Sequence, residues 1–268
     1  PALFGVSVTQ INLLLNTIWA SFMQDGSVSW LYSAERMTEL PLGLIGVAIG
    51  TVILPSLSAR HAEQDQAKFR SMIDWAARII MLVGIPASIA LFMLSTPIIQ
   101  ALFQRGEFTV EDTHMTALAL QCMSAGVISF MLIKVFAPGF YAQQDTKTPV
   151  RVGLMAVAAN AILNVVFIGF FKLIDWHAEH MALALASSGS ALVNAGMLYF
   201  YLHKRNIYRF GTHWKKLAMQ FTIANLTMIA ALWYALTWYQ GDISQWLRIA
   251  EVAGLCVIGV VAYAVGLL

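Results

Sequence analysis

Glu35, Arg36 and Glu39 stand near the middle of an almost wholly apolar stretch that runs from Ser27 to Leu57. An ionised side chain inside a membrane span costs about 2.5 to 3.5 kcal/mol on insertion scales, so such residues usually face a polar cavity and have partners. On a helix, Glu35 and Glu39 lie one turn apart on the same side, and Arg36 sits one turn from Glu39, so the three form a compact charged cluster. One guanidinium flanked by two carboxylates suits an anion site under tight control. The alternative is an internal ion pair that only locks two helices together. Pro41 removes the amide that would bond the carbonyl of Met37, so a bend and a free acceptor are expected just beyond the cluster.

Amides form the second set of candidates. Thr9, Asn12 and Asn16 share a stripe of the first apolar segment, Asn160 and Asn164 lie one turn apart in the fifth, and Ser187, Ser190 and Asn194 share a face of the sixth. Such groups either hydrogen-bond between helices, for about 0.6 kcal/mol each on average in membranes, or line a wet path. Together their oxygens could hold a small hard cation such as sodium, although no carboxylate is among them. Gly43, Gly46 and Gly50 read as a close-packing face, Asp74 and Arg78 as a stabilising surface pair. Lys134 is placed to snorkel or to meet an anionic headgroup. The group Asp175, His177, Glu179 and His180 reads as a solvated loop rather than a metal site. There is no phosphate-cradling Gly-rich loop, no nucleophile elbow and no His pair with Glu on a helix, so hydrolytic and ATP-driven chemistry are not encoded.

The elements that must position these residues are transmembrane helices. Hydrophobic residues make up 59% of the chain and charged ones 11%, against roughly 45 to 50% and 25% in soluble domains. About 20 apolar residues cross the hydrocarbon core. Eight segments qualify, at roughly 1–24, 27–57, 71–103, 114–141, 148–171, 179–202, 215–239 and 245–268. Gly84, Pro86 and Pro97 predict that the third kinks or ends in a short interfacial helix near Gln100 to Phe103. Alternate loops hold Arg60, Lys68, Arg70, Lys147, Arg151, Lys204, Arg205, Arg209, Lys215 and Lys216, against Arg105, Lys172 and Arg248 on the other side. The first set is cytoplasmic by the positive-inside rule, which puts both ends of the chain on that side. Cys122 and Cys256, the only cysteines, lie in apolar segments, so no disulfide framework exists. Pro1-Ala2-Leu3-Phe4 has neither a Met start nor a basic n-region, and the chain reads as a fragment that begins mid-protein.

Two segments carry a family resemblance: GSVSWLYSAERMTELP from Gly26 to Pro41, and KVFAPGFYAQQDTKTP from Lys134 to Pro149. With LPSLS at Leu54 to Ser58 and FGVSVTQINLLLNT in the first span, the chain resembles the lipid II flippases of the MurJ (MviN) family over essentially its whole length. The resemblance implies an all-α integral membrane protein of the multidrug/oligosaccharidyl-lipid/polysaccharide exporter superfamily. It implies the second, six-helix lobe of a MATE-like two-lobe transporter (1–203) followed by two extra terminal helices (204–268), with the N-terminal lobe absent. In that family a cationic cavity holds the diphosphate headgroup of lipid II. Arg36 matches its cavity arginine on this helix, Glu35 the preceding acidic position, Glu39 the glutamate one turn on, and Ser29 the polar stretch toward the outer end. The terminal pair, with Trp233, Tyr234, Trp238 and Tyr239, resembles a groove for the lipid tail and equally suits an interfacial aromatic belt.

The expected function is therefore transport of lipid II from the inner to the outer leaflet of the bacterial cytoplasmic membrane by alternating access, with no bond made or broken. The implied partners are lipid II, membrane lipids and the missing lobe, and no nucleic acid or cofactor is expected. Sodium or membrane-potential coupling stays open, because some members bind sodium between helices matching the first, fifth and sixth spans, where this chain offers Asn12, Asn16, Asn160, Asn164, Ser187 and Asn194. Rival readings are a flippase for another polyprenyl-linked oligosaccharide, a drug/cation antiporter, a polyprenyl-phosphate enzyme or a non-transport scaffold of cell-wall synthesis.

Overall fold

The computed structural model describes residues 12, 14–174, 177–241 and 244–268. Among them no strand occurs, and seven helices are long and apolar enough to cross a membrane. The first expected span falls largely outside the described residues; within it 14–21 is helical, here α1. The chain continues as α2 (Ser27–Pro41), a π-helical segment (Leu42–Val47), α3 (Ala48–Ala62), α4 (Gln66–Met93), α5 (Ser95–Phe103), α6 (Val110–Tyr141), α7 (Lys147–Leu173), α8 (His180–Lys204), α9 (His213–Leu236) and α10 (Gln245–Leu267). This is an all-helical, multi-pass membrane protein.

Both proline expectations acquire a physical form. After Pro41 the ladder widens into the π segment, which absorbs the lost amide without ending the helix, so α2, the π segment and α3 run on as one span from Ser27 to Ala62. The third expected segment is two helices, and the break lies at Leu94, whose φ of −95° and ψ of 11° leave the helix. Pro97 forces it there: in a continuous helix its ring would meet the carbonyl of Met93, whereas in the first turn of α5 its missing N–H costs nothing. Pro86 stays inside α4.

α6 is the axle. It is flanked by α2, α3, α4, α5 and α8, and 67% of its most apolar window is buried, against 17% in α7, which rests on α8 and turns the rest of its surface outward. Gly126 makes the α6–α8 approach close, since a Cβ there would lie 2.8 Å from the Ser188 backbone. Ser188 Oγ crosses the same gap to donate to the Cys122 carbonyl at 2.8 Å. One apolar cluster gathers Ile53, Leu57, Phe69, Ile73, Met131, Phe136, Phe140 and Leu202, and another gathers Leu31, Ala34, Met37, Ile99, Leu120 and Leu183. α9 and α10 pair through Met228, Leu232, Leu255 and Tyr263, and rest on α4 and α5.

Asp74 and Arg78 are not a surface pair. Asp74 is 7% exposed and accepts from Tyr208 Oη at 2.9 Å, Trp214 Nε1 at 2.7 Å and Arg78 Nε at 2.7 Å, with a second Arg78 contact through Nη2. His213 Nε2 lies 3.1 Å from Oδ2, the oxygen that Arg78 also reaches. The i, i+4 spacing gave the Arg78 contact, but the rest come from the turn between α8 and α9 and the first residues of α9, more than 130 residues away. Burial and the adjacent carboxylate push the Tyr208 phenol far up.

A second anchor sits at the turn between α6 and α7. Asp145 accepts from the Thr148 amide at 3.0 Å and hydroxyl at 2.6 Å, and Arg205 Nη1 lies 2.5 Å from its Oδ2. Burial pushes this carboxyl up, but the Thr148 hydroxyl, Arg205 and the Thr148 amide together hold it at about 2. Its folded value is below the unfolded one, so its stabilisation is present above about pH 4 and lost as pH falls toward about 2. Solvent screening limits the effect to about 1 kcal/mol. The thermal midpoint of the wild type should fall across that window, and Asp145→Asn should start lower and lack that component; parallel curves would refute the assignment.

Candidate functional site

The face that α2 presents is decided by what it buries. Trp30, Ser33, Ala34 and Met37 are buried against α6 and its neighbours, a helical spacing that leaves Ser29, Tyr32, Arg36 and Glu39 exposed on the opposite side. The N-terminal end of α2 is pinned twice. Gly26, at φ 97°, turns the chain into α2 beneath the Trp30 ring, and a Cβ there would lie 2.6 Å from that ring. Trp30 Nε1 donates to Asp112 Oδ1 at 2.7 Å, and its ring lies 5.0 Å from that of His180. His180 is buried, with Nε2 2.8 Å from the Met115 carbonyl. It therefore belongs to the packing under α2, not to the solvated loop expected of it.

Arg36 and Glu39 pair as their spacing predicts, Nη1 to Oε2 at 3.1 Å. Glu35 does not close the triad. It is half-buried and lines a cavity of about 600 Å3 between α1 and α2. The place expected for it is taken by Tyr32, whose hydroxyl accepts from Arg36 Nη2 at 2.6 Å while its ring lies 4.8 Å from the guanidinium carbon. Tyr32 escaped the sequence reading, although its position four residues before Arg36 puts it on the same helix face. Arg36 is thus held by a ring and a carboxylate and remains exposed to incoming ligands, 55% of its side chain being accessible. Such a guanidinium can exchange a carboxylate for a phosphate, with bidentate, charge-assisted bonds.

Ser29 lines the same cavity, as do Asn16, Thr17, Ser21 and Asp25. From Asn16 the polar surface continues inward. Asn16 Nδ2 donates to Ser187 Oγ at 2.8 Å, and Asn164 Nδ2 reaches Asn16 Oδ1 at 3.3 Å and Asn160 Oδ1 at 3.2 Å. Asn160 and Asn164 are fully buried. The structure thus joins four of the six polar-path residues. Asn12 is half-buried with an unpartnered Oδ1, Asn194 is half-buried further along α8, and Thr9 lies outside the described residues. Ser190 bonds its own helix at the Ser187 carbonyl. Asn164 Oδ1 and Asn160 Nδ2 are buried without partners. Among the described residues no three His, Cys, Asp or Glu side chains cluster as metal ligands. Lys134 is exposed on α6, its stem facing Gly46 of the π segment.

The family model described as lipid II flippase MurJ matches residues 1–252. A probable lipid II flippase MurJ of Vibrio cholerae is 43% identical over 98% of this chain and 49% of its own length. A probable lipid II flippase MurJ of Haemophilus influenzae is 42% identical over 100% of this chain and 52% of its own. The lipid II flippase MurJ of Burkholderia cenocepacia is 36% identical over 98% and 50%. The chain therefore spans about half the length of the curated relatives it matches. A solved structure of a lipid II flippase MurJ in an inward closed conformation has the same fold, with a TM-score of 0.78 and 24% identity over 98% of this chain and 51% of that one.

Proposed function

The chain belongs to the lipid II flippase MurJ family, and on that premise we propose that it forms the second lobe, 1–203, of a two-lobe transporter, with two further helices over 204–268. The transporter moves lipid II from the inner to the outer leaflet of the bacterial cytoplasmic membrane. The observation that carries this reading is Arg36, displayed on the exposed face of α2 with replaceable partners and a polar cavity beside it. A bilayer-embedded guanidinium that no buried pair consumes calls for an anionic ligand, and a diphosphate headgroup is one.

Binding precedes movement. The headgroup enters between the lobes, its phosphate oxygens displace Glu39 from Arg36, and Tyr32 keeps the guanidinium aimed. Ser29, Glu35 and Asn16 offer hydrogen bonds to the sugar and peptide beyond. Rocking of the lobes about this site then opens it outward, and Glu39 retakes Arg36 on release. No covalent step occurs. Coupling to sodium or to the membrane potential belongs to the same proposal. The neutral oxygens around Asn16, Asn160, Asn164 and Ser187 suit a weakly held monovalent cation, with Asn164 Oδ1 left free to accept one. A transport rate indifferent to sodium would reduce that set to interhelical hydrogen bonding.

Depleting the complete protein from growing cells tests the substrate. Lipid II should accumulate, with its headgroup protected from reagents added outside. Accumulation of a different polyprenyl-linked sugar would reassign the substrate, and unchanged precursor pools would remove transport altogether.

A further inference from the structure

Glu251 is not accounted for by the packing of the terminal pair. It lies about two turns into α10, half-buried in a groove of about 420 Å3 between α9 and α10 that Tyr234, Trp238, Tyr239 and Gly254 also line. Among the described residues no ion pair reaches it, and its Oε2 accepts only from the Gln240 backbone N–H, at 3.3 Å. A carboxylate on a bilayer-facing surface is costly unless a cation meets it. Tyr234 and Trp238 are 65% and 71% exposed, so the groove opens toward lipid, and lipid is where the cation must come from.

A second unpaired group stands one turn earlier. Arg248 Nε is buried without a partner, and Nη1 reaches Gln104 Oε1 only at 3.4 Å. Tyr239 feels both charges. Its hydroxyl donates to Gln100 Oε1 at 3.0 Å, and while burial raises its pKa, Arg248 and Glu251 act on it in opposite senses. Residues three apart on a helix hold their Cβ atoms about 5 to 6 Å apart, the scale that separates phosphate from ammonium in a phosphoethanolamine headgroup.

We propose that the outer mouth of the α9–α10 groove binds a glycerophospholipid whose headgroup carries a primary ammonium, with Glu251 taking the ammonium and Arg248 the phosphate. The placement of this mouth at the outer interface follows from the basic residues that start α9. A primary ammonium brings three N–H donors to the carboxylate. A quaternary one brings none and would meet only the aromatic faces. Beyond the headgroup, the small Ala231 and Gly254 leave room in the groove for an acyl chain to lie along Ile258.

The complete protein, purified in detergent and mixed with equimolar phosphatidylethanolamine, phosphatidylcholine and phosphatidylglycerol of one chain length, is examined by native mass spectrometry. The wild type should retain the ethanolamine lipid about tenfold over the choline lipid, the preference expected from one ion pair. Glu251→Gln should bring that ratio to about one, and Arg248→Gln should lower retention of all three, with both variants keeping the wild-type thermal midpoint. Equal retention by the wild type, a preference for choline or glycerol, or a preference that survives Glu251→Gln would overturn the proposal. The wild-type ratio decides by itself if either variant fails to fold.

Discussion

Replacing Arg36 by alanine should leave the protein folded and inserted but unable to support growth when it is the sole copy in the cell. The two halves of that expectation come from one geometry. The Arg36–Glu39 pair is more than half exposed on both sides, and exposed pairs contribute little to stability, so abundance and thermal midpoint should match the wild type. The same exposure makes the guanidinium available to a phosphate, and its removal takes away the bidentate contact. Arg36→Lys should rescue poorly, because a point charge cannot reproduce the fork or stack on Tyr32. Tyr32→Phe keeps the ring under the guanidinium and loses only the hydroxyl contact of 2.6 Å, so growth should slow without stopping. Normal growth on the alanine variant at wild-type abundance would end the anion-site assignment.

The largest structural loss is expected at Asp74. Asp74→Ala strands the buried Tyr208 hydroxyl and the half-buried Trp214 indole N–H and releases the exposed Arg78. Removing one partner of such a set costs about 3 kcal/mol, far more than the set contributes over apolar replacements. The thermal midpoint in detergent should drop by several degrees, and protease should reach the turn between α8 and α9. Asp74→Asn keeps an acceptor and should lose roughly half as much. An unchanged midpoint for the alanine variant would mean that the turn is held by its aromatic contacts alone, Tyr199 stacked on Phe210 at 4.6 Å and Phe210 edge-to-face with Trp214 at 4.7 Å.

What the residues declared in advance was what depends on local spacing. The face of α2 that carries Arg36 and Glu39 and the alignment of Asn160 with Asn164 follow from periods of three to four residues, whereas Pro41 predicts a bend and the structure instead places a π segment within one continuous span. The Asp74 cluster did not declare itself. Its partners lie 134 to 140 residues away, and no pattern along one helix encodes which turn folds over it. Glu35 misled for a related reason: sequence neighbours on a helix diverge by about 100°. That angle turns Glu35 toward the α1–α2 cavity while Tyr32 and Glu39 flank Arg36. Leu94 marks the break between α4 and α5, although Pro97 causes it, because a proline disturbs the turn before its own position.

The π segment also makes the helix that contains it a counted object. Each residue added to or removed from Leu42–Val47 rotates everything after it by about 100° relative to α2. Ile49, Ile53 and Leu57 form a single buried line down α3, and that line meets the core only in the present phase. In-frame loss of one codon there would leave composition, hydropathy and every named contact of Arg36 intact, yet would turn the α3 line toward lipid. At this place in the gene, the number of residues is constrained more tightly than their identity.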